Sequence, residues 1–118
     1  MALYTCGHII PDSDSVCSAI SLAYLLNKIG RAATPARQGE LNPETKFILD
    51  KFGFEAPVLK TSFAGDELFI TDYSDIAQAP QDLDKTTVVG IVDHHKLGDI
   101  TTSAPLECWI RPVGCTNT

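Results

Sequence analysis

Short runs of apolar residues, separated by polar turns, dominate the pattern along this chain and predict β-strands. The clearest run is at 88–92 (VVGIV), which has no polar interruption and is typical of a parallel strand covered on both faces. Shorter runs at 3–6 (LYTC) and 67–71 (ELFIT) predict two further buried strands. We expect two weaker strands at 32–38, where a proline favours the edge of the sheet, and at 106–113.

Between these runs, apolar residues recur at three- and four-residue spacing and predict two helices. The first begins at Ser15 and ends at Gly30. The second begins at Asn42-Pro43, because asparagine suits the N-cap and proline the first helical position, and it ends at Gly53. The polar stretch at 80–85 predicts a connection. Strands that alternate with helices indicate an α/β fold, a parallel sheet flanked by helices and built from right-handed βαβ units.

Size and charge narrow the possible functions. The chain has 118 residues, enough for one domain with a real core, and its 44% hydrophobic content is that of a globular protein. Nine lysines and arginines are scattered in a chain of net charge −6, which argues against nucleic-acid binding. No run has membrane-spanning length and the N-terminus does not resemble a signal peptide, so we expect a cytoplasmic protein without membrane partners. An anionic substrate would need bound cations to offset this charge.

The cysteines give no sign of a metal or disulfide framework. Cys6, Cys17, Cys108 and Cys115 form no CxxC pair and no spacing typical of zinc sites. We therefore expect buried, reduced thiols of a cytoplasmic protein.

Histidines and aspartates follow three of the predicted strands directly. The first strand leads into a loop with His8, Asp12 and Asp14, the strand at 67–71 into Asp72, and the strand at 88–92 into Asp93-His94-His95. In open α/β sheets, ligands bind beyond the carboxyl ends of the strands, so we expect these side chains to converge. Hard oxygen ligands beside neutral imidazoles suit Mg²⁺, Mn²⁺ or Co²⁺. The pattern predicts a metal site.

Each of these residues also has a structural explanation. Asp12 or Asp14 could be the N-cap of the first helix. Asp72 could open an Asx-turn with the polar residues that follow it. His94 or His95 could be a hydrogen-bonded core histidine, and the two can serve one site only if the strand is already ending. The metal hypothesis rests on the number of such groups at three strand ends, because a helix needs only one N-cap.

Four segments in order carry a family resemblance: HIIPDSDS before the first helix, GELNPETKF, the ITD strand end and VDHH. Together they resemble the manganese-dependent family II inorganic pyrophosphatases of the DHH phosphoesterase superfamily, over essentially all 118 residues. Asp93-His94-His95 matches the motif that names the superfamily, and PDSDS and NPETKF point to the pyrophosphatase branch. The resemblance implies hydrolysis of inorganic pyrophosphate to two phosphates by a metal-bridged hydroxide.

Carried over position by position, the resemblance implies a binuclear site for Mn²⁺ or Co²⁺, with Mg²⁺ as a candidate ion that accompanies the substrate. His8 and Asp12 would hold one ion. Asp14 and His94 would hold the other. Asp72 would bridge the two ions and act in catalysis.

The resemblance implies further roles and partners. His95 would act in catalysis through contact with the substrate, and Asp93 would orient the neighbouring histidine from behind. A second lobe with basic residues and a further aspartate ligand beyond Thr118 would complete the enzyme, and a homodimer would form through the lobe that these 118 residues build. The resemblance therefore implies an N-terminal, incomplete DHH domain with little or no activity by itself.

Two alternatives remain open at this point. A DHH phosphodiesterase acting on cyclic dinucleotides or short oligonucleotides would use the same metals with a different second lobe. The chain could also be a non-catalytic metal-binding or dimerisation module, because exposed sheet edges permit self-association.

Overall fold

One six-stranded parallel sheet organises the chain in a computed structural model that describes residues 1–118. The strands are β1 (Leu3–Cys6), β2 (Thr34–Arg37), β3 (Val58–Leu59), β4 (Glu67–Thr71), β5 (Thr87–Asp93) and β6 (Glu107–Ile110). Their spatial order is β3-β2-β1-β4-β5-β6, and every neighbouring pair is parallel. The chain moves outward from β1 to β3 and then returns to the other side of β1. Such a reversal leaves a crevice at the carboxyl ends of the two central strands.

Two α-helices connect the first three strands, which confirms the predicted α/β fold. Helix α1 (Ser13–Lys28) follows β1, and helix α2 (Pro43–Phe52) follows β2. The Asn42 side chain caps α2 by accepting from the Thr45 N–H at 2.8 Å, and Gly53 ends the helix with φ +73°. Neither α1 nor α2 has the length and apolar character that a membrane-spanning helix needs.

Helix α1 begins two residues earlier than the apolar periodicity predicted. Its first turn is polar, and the cap comes from the loop: Asp12 accepts from the Ser15 N–H at 2.8 Å. The cap interpretation of Asp12 is thus confirmed. The helix buries Val16, Ala19 and Ala23, among others, against the sheet. Because α1 is capped at the crevice, its positive dipole end lies there.

The core has one apolar layer on each face of the sheet. Successive residues of a strand point to opposite faces, and β4 follows this rule: Leu68 and Ile70 face one layer and Phe69 the other. The larger layer contains Cys6, Ala36, Phe63, Leu68, Ile70, Tyr73, Ala79, Val88 and Ile91. The smaller one contains Leu3, Leu26 and Phe69. Gly90 lies under the Phe69 ring, and a Cβ there would come within 2.4 Å of a ring carbon.

The sheet margins differ most from the sequence-based expectation. Strands β2 and β6 are shorter than the predicted 32–38 and 106–113, and the two-residue β3 was not predicted at all. All residues of β3 and β6 are exposed, so no apolar alternation marks them. Short three-ten turns lie at Ile76–Gln78, Leu83–Lys85 and Cys115–Asn117. The second of these falls within the polar connection predicted at 80–85.

Candidate metal centre

The loop between β1 and α1 is held close to the helix that it enters. A Cβ on Gly7 would overlap the Ser15 hydroxyl, so only glycine permits this approach. The buried Gln38 side chain donates from Nε2 to the Gly7 carbonyl at 2.8 Å and fixes the loop from the β2 side. These contacts bring His8 and Asp12 to the carboxyl end of β1.

Asp72 directly follows β4, in a backbone conformation that most residues avoid. Its φ is +66°, in the left-handed region, which aspartate tolerates better than most residues. Its N–H donates to the Val92 carbonyl at 2.8 Å, so the backbone stays paired with β5. The carboxylate, only 1% exposed, is turned into the crevice. Strained backbone of this kind clusters at functional sites.

The two oxygens of Asp72 face two separate groups of side chains. On one side, His8 Nε2 lies 3.1 Å from Asp72 Oδ2 and 3.6 Å from Asp12 Oδ1. On the other, His94 Nε2 lies 2.8 Å from Asp72 Oδ1 and 3.5 Å from Asp14 Oδ2. We call His8, Asp12 and Asp72 the first triad, and Asp14, Asp72 and His94 the second triad. Within each triad the potential ligand atoms lie within 4.8 Å of one another.

Negative charge accumulates where the triads meet. Burial raises the pKa of Asp72, and the nearby carboxylates of Asp12 and Asp14 raise it further, although a hydrogen bond with His8 opposes them. The hydrogen bond to Asp72 raises the pKa of His8. Divalent cations would relieve this repulsion. The donor set fits them, because each triad offers two carboxylates and one imidazole, a combination that suits Mn²⁺.

The Asp93 carboxylate organises the two histidines after β5. It is fully buried, and its Oδ1 accepts from His95 Nδ1 at 2.7 Å and from the His94 N–H at 2.8 Å. The ring that Asp93 orients is therefore His95, and Nε2 of that ring points away from the carboxylate. The hydrogen bond to Asp93 raises the pKa of His95. Because β5 ends at Asp93, the two histidines need not point to opposite faces of the sheet, and both reach the crevice.

An open cavity of about 350 Å³ adjoins the first triad. His95 and Lys96 line it, and Lys96 brings a positive charge to its wall. Ser74 also lines it and is fixed there, since its hydroxyl oxygen accepts from the Gly98 N–H at 2.8 Å. The remaining lining residues are His8, Asp72, Tyr73, Asp75 and Gln78. Sequence reasoning missed Ser74 and Gln78, because no motif marks them.

Residues that follow β6 reach the second triad, which sequence reasoning also missed. The N–H groups of Cys115 and Thr116 donate to Asp14 Oδ2 and Oδ1, each at 2.9 Å. Burial opposes ionisation of Asp14, but these bonds outweigh it and lower its pKa. Cys115 Sγ lies 3.8 Å from Asp72 Oδ1, and burial raises its thiol pKa. The signal that could have revealed this contact is the strand order, because β6 adjoins β5 and both strands end at the same edge of the sheet.

All four thiols are free, as expected, but only two of them are buried. Cys108 is exposed because it lies on β6, the edge strand with no covering element, and this corrects the expectation of buried thiols. Cys6 and Cys115 are buried and Cys17 is half-buried.

The structure brings together every residue predicted for the metal site: His8, Asp12, Asp14, Asp72 and His94. They come from the loop after β1, the first turn of α1 and the ends of β4 and β5. His95 and Asp93 adjoin them. The roles assigned to these residues in metal binding and catalysis stay predictions.

Comparison with known proteins finds a matching family model and similar proteins. The family model described as "DHH family, N-terminal domain" matches residues 2–118. A protein of Archaeoglobus fulgidus named probable manganese-dependent inorganic pyrophosphatase is 48% identical over 98% of this chain and 40% of its own length. The manganese-dependent inorganic pyrophosphatase of Methanocaldococcus jannaschii is 44% identical over 98% of this chain and 36% of its own length.

The fold is also similar to a solved structure. A crystal structure of a Methanococcus jannaschii protein, described as a family II inorganic pyrophosphatase, superposes with a TM-score of 0.88 at 44% identity. The match covers 97% of this chain and 36% of that one. The chain thus spans about two fifths of the length of the relatives that it matches.

Proposed function

The chain belongs to the DHH family, because it matches the N-terminal domain of that family, and we propose that it carries the metal-binding half of a manganese-dependent inorganic pyrophosphatase. In this proposal His8 and Asp12 hold one Mn²⁺, Asp14 and His94 hold a second, and Asp72 bridges them. The observation that carries the proposal is the orientation of Asp72, whose two oxygens each face a different histidine, at 3.1 and 2.8 Å. A carboxylate with one partner group on each side is suited to link two cations.

When bound, paired divalent ions would supply Lewis-acid charge and a water of lowered pKa. The chain's own residues would prepare the substrate. His95, held by Asp93 through Nδ1, would present Nε2 toward the phosphate oxygens, and its raised pKa favours the protonated ring that an anion prefers. The N-terminus of α1 adds a positive dipole end beside the crevice. Asp72 would act in catalysis as the carboxylate that holds both ions.

The small positive charge of the cavity supports the view that residues outside these 118 help to bind the substrate. Pyrophosphate is strongly anionic, whereas the cavity next to the first triad offers one lysine, Lys96, and no arginine. The relatives named pyrophosphatases are about two and a half times longer, since the chain covers 36–40% of them. We therefore propose that a second lobe supplies further basic residues, and that the 118 residues by themselves hydrolyse pyrophosphate poorly or not at all.

An assay of phosphate release tests this proposal. The complete product of the gene should hydrolyse pyrophosphate with Mn²⁺, and with Co²⁺ as the nearest substitute, while the 118-residue chain alone should not. Mg²⁺ added together with Mn²⁺ tests whether a further ion accompanies the substrate. Cleavage of a cyclic dinucleotide without cleavage of pyrophosphate would favour the phosphodiesterase alternative. Full turnover by the 118-residue chain would contradict the two-lobe part of the proposal.

Assembly and location are part of the same proposal. Strands β3 and β6 are exposed sheet edges, and edge strands pair readily with a second copy. We propose a homodimer, which analytical ultracentrifugation of the complete gene product would detect. Four free thiols suit a reducing compartment such as the cytoplasm.

A further inference from the structure

The turn formed by Gly114, Cys115 and Thr116 is the part of the crevice that the proposed chemistry leaves unused. It follows β6 and reaches Asp14 across 101 and 102 residues of sequence. The Cys115 N–H donates to Asp14 Oδ2, whereas Thr116 donates twice to Asp14 Oδ1, from its N–H at 2.9 Å and from its hydroxyl at 2.8 Å. The first triad has no equivalent, because Asp12 is held by Ser15 of its own helix.

These bonds make the two oxygens of Asp14 chemically different. A carboxylate oxygen has two lone pairs. Both lone pairs of Oδ1 are occupied by Thr116, while Oδ2 accepts only from Cys115 and keeps one lone pair free. Oδ2 is also the oxygen that lies 3.5 Å from His94 Nε2. The turn thereby selects which oxygen of Asp14 can bind an ion beside His94.

The backbone of the turn approaches the carboxylate closely. A Cβ on Gly114 would lie 3.3 Å from Asp14 Oδ1, which is tighter than ordinary packing. The φ of Gly114 is −53°, a value open to any residue, so proximity to Asp14 rather than backbone conformation favours glycine. An alanine at this position would therefore press on the carboxylate.

We propose that Thr116 is a positioning residue for the second ion, whose hydroxyl holds the Asp14 carboxylate so that only Oδ2 is free to bind. The proposal rests on the two-ion site proposed above. Hydrogen bonds behind a metal ligand fix its orientation before the ion arrives, and their loss typically weakens metal binding by about 10- to 100-fold. The peptide N–H bonds persist whatever side chain stands at 116, so the hydroxyl is the contribution that a substitution can remove.

The test is a Mn²⁺ titration of the complete gene product, with free Mn²⁺ followed by electron paramagnetic resonance. Thr116→Val removes the hydroxyl at nearly constant shape, and Thr116→Ser keeps it. Thr102→Val is the matched control, because the Thr102 hydroxyl donates to Ala104 on the exposed surface. We expect Thr116→Val to weaken one of two binding steps by about tenfold or more and to leave the other unchanged. Thr116→Ser and Thr102→Val should match the unchanged protein.

A second variant keeps the proposal testable if Thr116→Val folds poorly by circular dichroism. Gly114→Ala leaves the hydroxyl in place and displaces its acceptor, so it should weaken the same step. Equal affinities in Thr116→Val and the unchanged protein would overturn the role of Thr116 while leaving the two-ion site intact. Equal weakening in Thr116→Val and Thr116→Ser would overturn it as well. An unchanged protein that binds fewer than two Mn²⁺ ions would instead overturn the two-ion site itself.

Discussion

The two triads share one carboxylate but are assembled in different ways. The first triad takes His8 and Asp12 from a single loop, and Asp12 is held by the helix that this loop enters. The second triad takes Asp14 from α1 and His94 from the end of β5, and it is held by the turn after β6. Their exposure differs too, since the Asp12 side chain is 57% exposed and that of Asp14 only 25%.

The two modes of assembly show which contacts fix the geometry of each triad. Within the first triad, a local hydrogen bond fixes Asp12 as soon as the first turn of α1 forms. The second triad requires contacts between residues that are more than a hundred positions apart in sequence, so its geometry depends on the whole sheet being in register. We expect the second triad to respond more strongly to distant substitutions than the first triad does. Asp72, which belongs to both, should couple the halves.

The largest effect is expected from Asp72→Asn, which challenges the idea of a shared ligand. Asparagine keeps the shape of the side chain and tolerates the left-handed φ of +66°, but it loses the charge that faces both histidines. Turnover of pyrophosphate by the complete gene product should fall by about 10³-fold or more, and both Mn²⁺ binding steps should weaken. Asp50→Asn on the exposed side of α2 is the control. Two tightly bound ions in Asp72→Asn would show that Asp72 is not a bridge.

Separate substitutions in the two triads should then distinguish them. Asp12→Asn preserves the helix cap, because asparagine caps as well as aspartate does, and removes only the ligand charge. Asp14→Asn loses both the ligand charge and the charge-assisted bonds from the turn. Each variant should weaken the affinity of one Mn²⁺ binding step by about 10- to 100-fold, and the two variants should affect different steps. Calorimetry measures both steps. Loss of the same binding step in both variants would show that the two triads form a single metal site.

Asp12→Ala separates capping from ligation within the first triad. Alanine removes both functions, so this variant should also lose about 1 kcal/mol of unfolding free energy relative to Asp12→Asn. Urea denaturation without metal measures that difference, since the ligand role then contributes nothing. Equal stability of the two variants would mean that the cap is dispensable.

The comparison also explains what the sequence could predict. Periodicity and uninterrupted apolar runs gave α1, α2, β1, β4 and β5, because burial imposes a regular pattern on those elements. Asp72 and His94 were identified as site candidates because parallel strands share one carboxyl edge. The exposed strands β3 and β6 carry no such pattern. Thr116 and Ser74 were not predicted, because each contributes through a hydrogen bond to a residue distant in sequence, and neither residue type nor spacing indicates such a bond.

A substitution in the core should leave the two triads equally intact. Gly90→Ala places a Cβ within 2.4 Å of the Phe69 ring, which must shift within the layer beneath α1. Overpacking of this kind costs about 1–3 kcal/mol of unfolding free energy. Denaturant unfolding should register that loss, while Mn²⁺ affinities in the folded protein stay unchanged for both steps. Selective weakening of the second step would indicate that β5 transmits core strain to His94.

The smallest effect is expected from His95, which lies outside both triads and about half exposed. Its hydrogen bond to Asp93 raises its pKa in the folded chain above the ordinary value of 6.5. The folded state therefore binds the proton more tightly than the unfolded state. The resulting stabilisation is fully present below pH 6.5 and is lost as the pH rises through the folded pKa.

Thermal unfolding of the metal-free chain at a series of pH values checks this sign. The melting temperature of the unchanged chain should fall relative to that of His95→Gln as the pH rises above 6.5, because glutamine has no proton to lose. Comparing the two chains cancels the titration of His8 and Asp72, which both contain. A constant difference between their melting temperatures would mean that Asp93 holds the ring without favouring its charged form. In that case the neutral His95 ring, whose single N–H donates to Asp93, would have a lone pair at Nε2 and could not donate to a phosphate, and the positive charge beside the first triad would come from Lys96.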